Sequence, residues 1–404
     1  MKTGQNSVVA VVSCSSYAPE LLLPAVRAGI GLLGGASAFA APEEHILLKP
    51  NLLNYDPPER AVCTHPAVIE AAARCLLETG CVLSMGDSPG GVGRTAALAA
   101  RSGGLTGIAA RLPAEIADFS RGIETPCPQG RYAQSFPLCP GVLDAGGIIN
   151  LPKMKTHALE RITGAVKNLF GCVYGAHKAA SHAKWPDAQS FAGMLCDLSL
   201  LLRPRLHILD GILAMEGNGP ASGDPVAMNL LLFSADPVAL DSVFCALIDL
   251  DPALVPTCVL GEQMGLGVMD PGRITLLSPA GELSFAELSA RYGHPDFRVD
   301  RSVPEGGAHW AGPLLRMIGH GIGGDSALHA RLHGPGPEIL PEKCTGCGYC
   351  VRCCPLSPPA LRQARPGQAP RVSYRRCVRC YCCQESCPQG AVAVRPGREK
   401  KRRS

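Results

Sequence analysis

Toward its C-terminus the chain spells one cysteine spacing twice: Cys344, Cys347, Cys350 and Cys354 before Pro355, then Cys377, Cys380, Cys383 and Cys387 before Pro388. Each set reads C-x2-C-x2-C-x3-C-P. No other feature restricts the fold as much, because thiolates so spaced wrap a turn of backbone around a cubane [4Fe–4S] cluster. Three cysteines at intervals of three reach three irons, and the fourth, turned away by the proline behind it, reaches the other cluster. The expectation is two [4Fe–4S] clusters with interlaced ligands: Cys344, Cys347, Cys350 and Cys387 on one, Cys377, Cys380, Cys383 and Cys354 on the other. Zinc seldom takes such a set, and a disulfide knot would not repeat the same spacing. Gly346 and Gly348 let the backbone approach sulfide and offer it N–H donors. Cys353 and Cys382 stand beside ligands but outside the pattern, and read as packing residues.

The chain has 404 residues, 46% of them hydrophobic, enough for one large domain and one small one. Ten more cysteines are scattered through the first 260 residues without metal spacing. They read as small buried hydrophobes in a reducing cytoplasm. The apolar stretch 8–12 is too short for a secretory signal, and nothing approaches the roughly eighteen apolar residues of a membrane span. The expectation is a soluble, cytoplasmic protein with no membrane contact.

The net charge of +4 conceals an asymmetry, since residues 341–404 sum to +11 and the remainder to −7. Eight thiolates with two oxidised clusters subtract about four charges and leave the small domain basic. Such a face suits an acidic redox partner, or the body's own acidic surface. The basic run 398–403 reads as a solvated terminus rather than a nucleic-acid arm.

Ahead of the cysteines, short apolar runs alternate with helical patterns, which implies an α/β fold: a mainly parallel sheet with flanking helices. The pattern predicts strands at 8–12, 45–48, 81–85, 147–151, 206–209 and 229–233. Helices are predicted at 19–33, 65–79, 159–170, 191–202 and 237–248. The divisions expected are an α/β body (1–300), a connector (301–340), a ferredoxin-like cluster domain (341–395) and a basic tail (396–404).

In an open α/β sheet ligands bind beyond the carboxyl ends of the strands. Polar residues recur at those positions: Lys49 and Asn51; Asp87 and Ser88; Lys153, Lys155 and His157; Asp210 and Glu216; Asp236. Lys167 lies further on, in the helix predicted after His157. Lysines near a helix N-terminus suit a phosphate, a carboxylate or a developing enolate, although exposed lysines on a loop give the same pattern. The reading assigns chemistry to Lys153, His157 and Asp87, and binding to Lys49, Asn51, Ser88, Lys155, Lys167, Asp210, Glu216 and Asp236. It expects Lys49, Asp87, Lys153, Lys155, His157, Lys167 and Asp236 in one cleft that takes an anionic substrate. Asp87, Asp210, Glu216 and Asp236 form a candidate hard-cation set if the fold joins them. Gly86 to Gly91 lacks the order of a dinucleotide or Walker loop.

These motifs together resemble the domain-of-unknown-function family 362, whose members often carry a pair of cubane clusters at one end. The resemblance rests on Lys49-Pro50-Asn51-Leu52, Gly86-Asp87-Ser88-Pro89-Gly90, the run 150–157 with Gly164-x-x-Lys167-Asn168, Asp210-Gly211, and Ser234-x-Asp236-Pro237. It implies the architecture and the electron-transfer module, and names no substrate. Two functions remain open. One is an iron–sulfur oxidoreductase whose cluster domain exchanges electrons with a site in the body. The other is a non-enzymatic electron carrier, or a partner in maturing another metalloprotein.

Overall fold

In the central strands neighbouring side chains enter two different cores. In β1 (Ser7–Ser13) Val9 and Val11 join one core while Ala10 and Val12 join the other. In β2 (His45–Pro50) Leu47 faces away from Ile46 and Leu48 in the same manner. A strand with both faces buried reads as a continuous apolar run, and the sheet must be covered by helices on each side. A computed structural model gives this architecture and describes residues 6–91, 93–303 and 335–395. Helices Pro19–Leu32 and Pro66–Leu77 cover one face. Helices Ala188–Leu202, Pro237–Leu247 and Pro256–Gln263 cover the other. Each fully buried Leu, Ile or Val contributes about 1.5–3 kcal/mol.

The remaining strands of the body are β3 (Val82–Met85), β4 (Ala114–Ile116), β5 (Ile123–Pro126), β6 (Ser135–Leu138), β7 (Gly147–Leu151), β8 (Lys153–His157), β9 (Arg161–Thr163), β10 (Leu206–Glu216), β11 (Asp224–Ser234), β12 (Ile274–Ser278) and β13 (Gly281–Leu283). Eleven strands form the main sheet in the order β13-β12-β1-β11-β10-β7-β2-β3-β4, with β8 on β10 and β9 on β8. The block β10-β7-β2-β3-β4 is parallel, whereas β11 runs antiparallel to both of its neighbours.

The predicted strands at 8–12, 45–48 and 147–151 match β1, β2 and β7, and helix 19–33 matches Pro19–Leu32. The helix predicted at 159–170 does not form. The chain instead turns at Pro152, continues as β8, returns as β9, and makes only single turns at Ala165–Asn168 and Leu169–Cys172. Apolar residues Ile162, Val166 and Leu169 still reach the core, from a hairpin and two turns. The strand predicted at 206–209 also runs on to Glu216, with a bulge between Gly211 and Leu213.

The small domain begins before residue 341, because β14 (Gly336–Ile339) pairs with β17 (Val392–Arg395). Between them lie the two-residue strands β15 (Leu361–Arg362) and β16 (Arg371–Val372). At its other end the expected connector also shortens, since Arg301 bonds the carbonyls of Ile248, Asp249 and Pro295 in the body. Residues 304–334 and the basic tail 396–404 lie outside the described residues.

Candidate functional site

The repeated cysteine spacing folds into a repeated backbone. Gly346 and Gly348 take φ of 66° and 69°, and the equivalent positions in the second set, Arg379 and Tyr381, take 58° and 59°. Glycine adopts this left-handed conformation freely; the arginine and tyrosine do so at roughly 1–2 kcal/mol each. The result is two small cavities. One is lined by Cys344, Cys347, Cys350 and Cys387. The other is lined by Cys354, Cys377, Cys380 and Cys383, with Cys382 beside them. In each case the fourth cysteine crosses from the other set.

The donor set suits iron–sulfur clusters. The Sγ of Cys354 accepts from Ala360 N at 3.4 Å, and that of Cys387 accepts from Ala391 N at 3.3 Å, the kind of backbone bond that orients a ligating sulfur. Among the described residues no three Cys, His, Asp or Glu side chains converge on a single metal ion. The thiols surround a void, as a cluster requires and a lone zinc does not. The same fact removes the candidate hard-cation set. Cys353 and Cys382 lie next to ligand positions, and the Cys353 thiol donates to Cys350 O and Cys382 O, both at 3.5 Å.

In the body, β8 alternates. Lys153, Lys155 and His157 share one face of the strand and all are buried. Lys153 Nζ is 2.7 Å from Asp210 and donates to Tyr17 OH at 2.9 Å, while Tyr17 OH donates to the other Asp210 oxygen. Burial lowers the Lys153 pKa and Asp210 opposes that shift. Lys155 Nζ donates to Asn51 Oδ1 at 2.9 Å and Val62 O at 2.7 Å, and burial pushes it down to about 7. His157 Nδ1 accepts from the N–H groups of Leu159 and Glu160, so the ring proton sits on Nε2, 3.0 Å from Glu385 Oε1 in the cluster domain. Burial holds the His157 pKa below its usual value, in keeping with a neutral ring.

Lys49, at the end of β2, lies 2.8 Å from Asp87 Oδ1, and the second Asp87 oxygen accepts from Leu52 N. Gly171 makes that pair possible. A Cβ there would lie 1.9 Å from Asp87 Oδ1 and 2.4 Å from Lys49 Nζ. Gly171 O accepts from Ser88 N, and Ser88 Oγ accepts from Gly175 N, which ties the turn after β3 to the helix Gly175–Lys184.

The cluster domain docks on the far end of β8 and on the β10–β11 turn. Gln384, fully buried, donates through Nε2 to Asn218 O, Asn218 Oδ1 and Gly219 O at 2.8–3.0 Å, and Asn218 Nδ2 donates to Val392 O. Beside this seam lies a cavity of about 220 Å³. Asn51, Asp87, Ser88 and Lys167 of the predicted set line its body wall, and Cys353, Cys354, Cys382 and Glu385 line its other wall.

The other predicted residues do not line that cavity. Lys49, Lys155 and His157 only contact its lining residues Asp87, Asn51 and Glu385, and four more lie elsewhere. Asp236 follows β11, whose antiparallel direction carries it to the opposite edge of the sheet. There it caps helix Pro237–Leu247 through Val238 N and Ala239 N and accepts from Ser7. Glu216 is 2.7 Å from Arg298. Asp210 and Lys153 form their own buried pair and do not line the cavity. Sequence reasoning missed Lys178, Arg94, His182 and Arg352, which do line it. Lys178 and His182 sit four residues apart on a helix that went unpredicted, with no strand end to mark them.

A family model described as Domain of unknown function (DUF362) matches residues 46–246, and one described as 4Fe-4S dicluster domain matches residues 336–388. Thylakoid-associated protein sll1697 of Synechocystis sp. is 42% identical over 265 residues, 64% of this chain and 79% of that one. Among solved structures, the lactate racemase apoprotein of Thermoanaerobacterium thermosaccharolyticum is 11% identical with a TM-score of 0.36, over 58% of this chain and 55% of that one. A Thermotoga maritima protein is 12% identical with a TM-score of 0.34, over 60% and 59%. The chain thus spans a little more than half of each of those two structures. None of the helices among the described residues is long and apolar enough to cross a membrane. Body motifs, cysteine sets and family models agree: the chain belongs to the family described as Domain of unknown function (DUF362), in a form carrying a C-terminal 4Fe–4S dicluster domain.

Proposed function

We propose that the protein is a cytoplasmic iron–sulfur oxidoreductase, with Cys344, Cys347, Cys350 and Cys387 holding one [4Fe–4S] cluster and Cys354, Cys377, Cys380 and Cys383 holding a second. Such clusters, when bound, supply one-electron transfer. The observation that carries the reading is the cavity at the domain seam, where Cys354 and the body residues Asp87 and Lys167 line one space. Cations there bind an anionic substrate, and Phe170 and Leu53 exclude water from part of the wall. His157 keeps its proton on Nε2 for Glu385, which faces the cavity. Lys155, with a pKa of about 7, holds or releases a proton behind Asn51 near neutral pH.

Electrons arrive from an acidic redox protein at the other cluster site. Cys347 is exposed there, and Lys343, Arg362 and Arg365 are exposed on the same domain. The test is anaerobic reduction of the cluster-loaded protein followed by a screen of small anionic compounds for reoxidation of its visible absorbance. A compound that reoxidises it catalytically, and no longer does so in Lys167→Ala, supports the reading. Reoxidation by protein acceptors alone leaves an electron carrier.

A further inference from the structure

The body wall of the seam cavity carries cations whose neighbours leave them underused. Lys167 Nζ lies 5.4 Å and 5.8 Å from the Phe170 and Phe191 ring centres and makes no hydrogen bond or ion pair among the described residues. Lys178 Nζ lies 5.5 Å from the Phe170 ring centre and spends one N–H on Ser88 O. Lys49 pairs Asp87 at 2.8 Å, and Glu385, held by the neutral His157 at 3.0 Å, keeps its charge. Lys167, Lys178, Arg94 and Arg352 set four cationic side chains against that one carboxylate.

The ten-residue helix Gly175–Lys184 opens on the same wall, and its N-cap Tyr174 provides no side-chain cap. Gly175 N is satisfied by Ser88 Oγ and His177 N by Tyr174 O. Ala176, which also lines the cavity, has an N–H without a partner among the described residues. Six residues further on, His182 is 3% exposed, its Nδ1 is likewise unpartnered, and its ring stacks on Phe191 with centres 4.4 Å apart. A free N–H at a helix start, two lysines and an unpartnered buried imidazole converge on one space.

The chemistry of these donors separates two classes of anion. A carboxylate is best held by the planar fork of an arginine. Both cavity arginines spend donors on the backbone instead: Arg94 Nη1 on Leu53 O and Gly90 O, Arg352 Nη1 on Cys347 O. Each guanidinium keeps further N–H donors, and the ammonium groups and helix N-terminus add the point charges and backbone donor that suit a phosphate.

We propose that this wall is a phosphate subsite: the cavity takes a phosphorylated small molecule whose phosphate rests on Lys167, Lys178 and Ala176 N, and whose remainder lies along Phe170 and His182 toward Cys354. The assignment names the substrate class for the reaction site proposed above and rests on that reading. Burial holds Lys178 down at about 8, and a bound dianion there restores its charge.

The experiment titrates inorganic phosphate into the full-length, cluster-loaded protein and follows binding by calorimetry. Cluster absorbance and thermal melting report on folding in every variant. Lys167→Met and Lys178→Met are each expected to weaken phosphate binding about tenfold or more, as loss of a charge-assisted bond implies. Lys184→Met, on the exposed last turn of the same helix, leaves it unchanged. Unaltered affinity in both cavity variants, no binding by the parent protein, or succinate binding more tightly than phosphate would each overturn the subsite. Phosphate binding that fails to alter cluster reoxidation by any phosphorylated compound keeps the subsite and removes the redox reading instead.

Discussion

The two cysteine-lined cavities share one backbone plan and differ in what surrounds them. At the first, Cys347 is exposed and its carbonyl accepts from Arg352 at 3.1 Å. At the second, Cys377, Cys380 and Cys383 are all buried, and Cys354 lines the seam cavity shared with the body. Two equal sites in a free-standing electron carrier would both face solvent. Here one looks outward and one inward, and the proposed reading rests on that asymmetry.

The most drastic way to break that comparison is to remove one ligand from each cavity. We expect about eight irons per chain in the parent protein after anaerobic isolation. Cys354→Ala should lose about half of them from the inner site and Cys387→Ala about half from the outer. Spectra showing the same site lost in both would contradict the interlaced assignment. Cys353→Ala and Cys382→Ala should keep the full iron content, and a halved count in either would show that the ligand register is wrong.

A smaller effect sharpens the inner side. Gln384→Ala removes three hydrogen bonds from a fully buried amide and leaves the Asn218 and Gly219 acceptors unsatisfied, a cost of roughly 2–4 kcal/mol to docking. Hydrogen exchange should quicken at residues 217–219 while iron content stays near that of the parent. Unchanged exchange would mean the seam does not depend on this contact.

Smaller again is a pH effect from Lys155. Its folded pKa, about 7, is depressed from 10.5, so between those values the unfolded chain binds the extra proton. Stability then rises with pH across that window, and the contribution is lost as pH falls through about 7. In Lys155→Met the melting temperature should lose this part of its pH dependence, whatever the change in its absolute value. A variant with the parent's slope would show that Lys155 stays charged.

The smallest effect concerns the outer side. Electron exchange with an acidic ferredoxin or flavodoxin should slow as ionic strength rises, since screening cuts the reach of the basic face to about 8 Å at physiological salt. Rates indifferent to salt would remove the docking argument.

The same two regions differ in how far the sequence exposed them. The proposed cluster ligands are read from spacing, because four sulfurs around a cube need fixed local turns; Cys344 to Cys387 could be proposed without knowing any tertiary contact. The body's site depends on topology. Lys49, Asn51, Asp87 and Ser88 follow parallel strands and do gather at one edge, as the strand-end rule requires. Asp236 follows a strand with the same apolar pattern but the opposite direction, and direction leaves no mark in a short hydrophobic run. Lys153, Lys155 and His157 did carry a legible signal. Their alternation is that of a strand, but the helix-like spacing of Leu159, Ile162, Val166 and Leu169 downstream competed with it. Lys178 and His182 had no such signal, since a short polar helix gains a role only from the wall it faces.

An iron anomalous-scattering map of the anaerobically prepared, cluster-loaded protein tests the central claim most directly. The account predicts two separate iron sites, one of them bonded to Cys354 together with Cys377, Cys380 and Cys383 at the wall of the cavity that Lys167 and Lys178 line from the body. Iron on Cys354 shared with Cys344, Cys347 and Cys350, or no iron at Cys354, would contradict it.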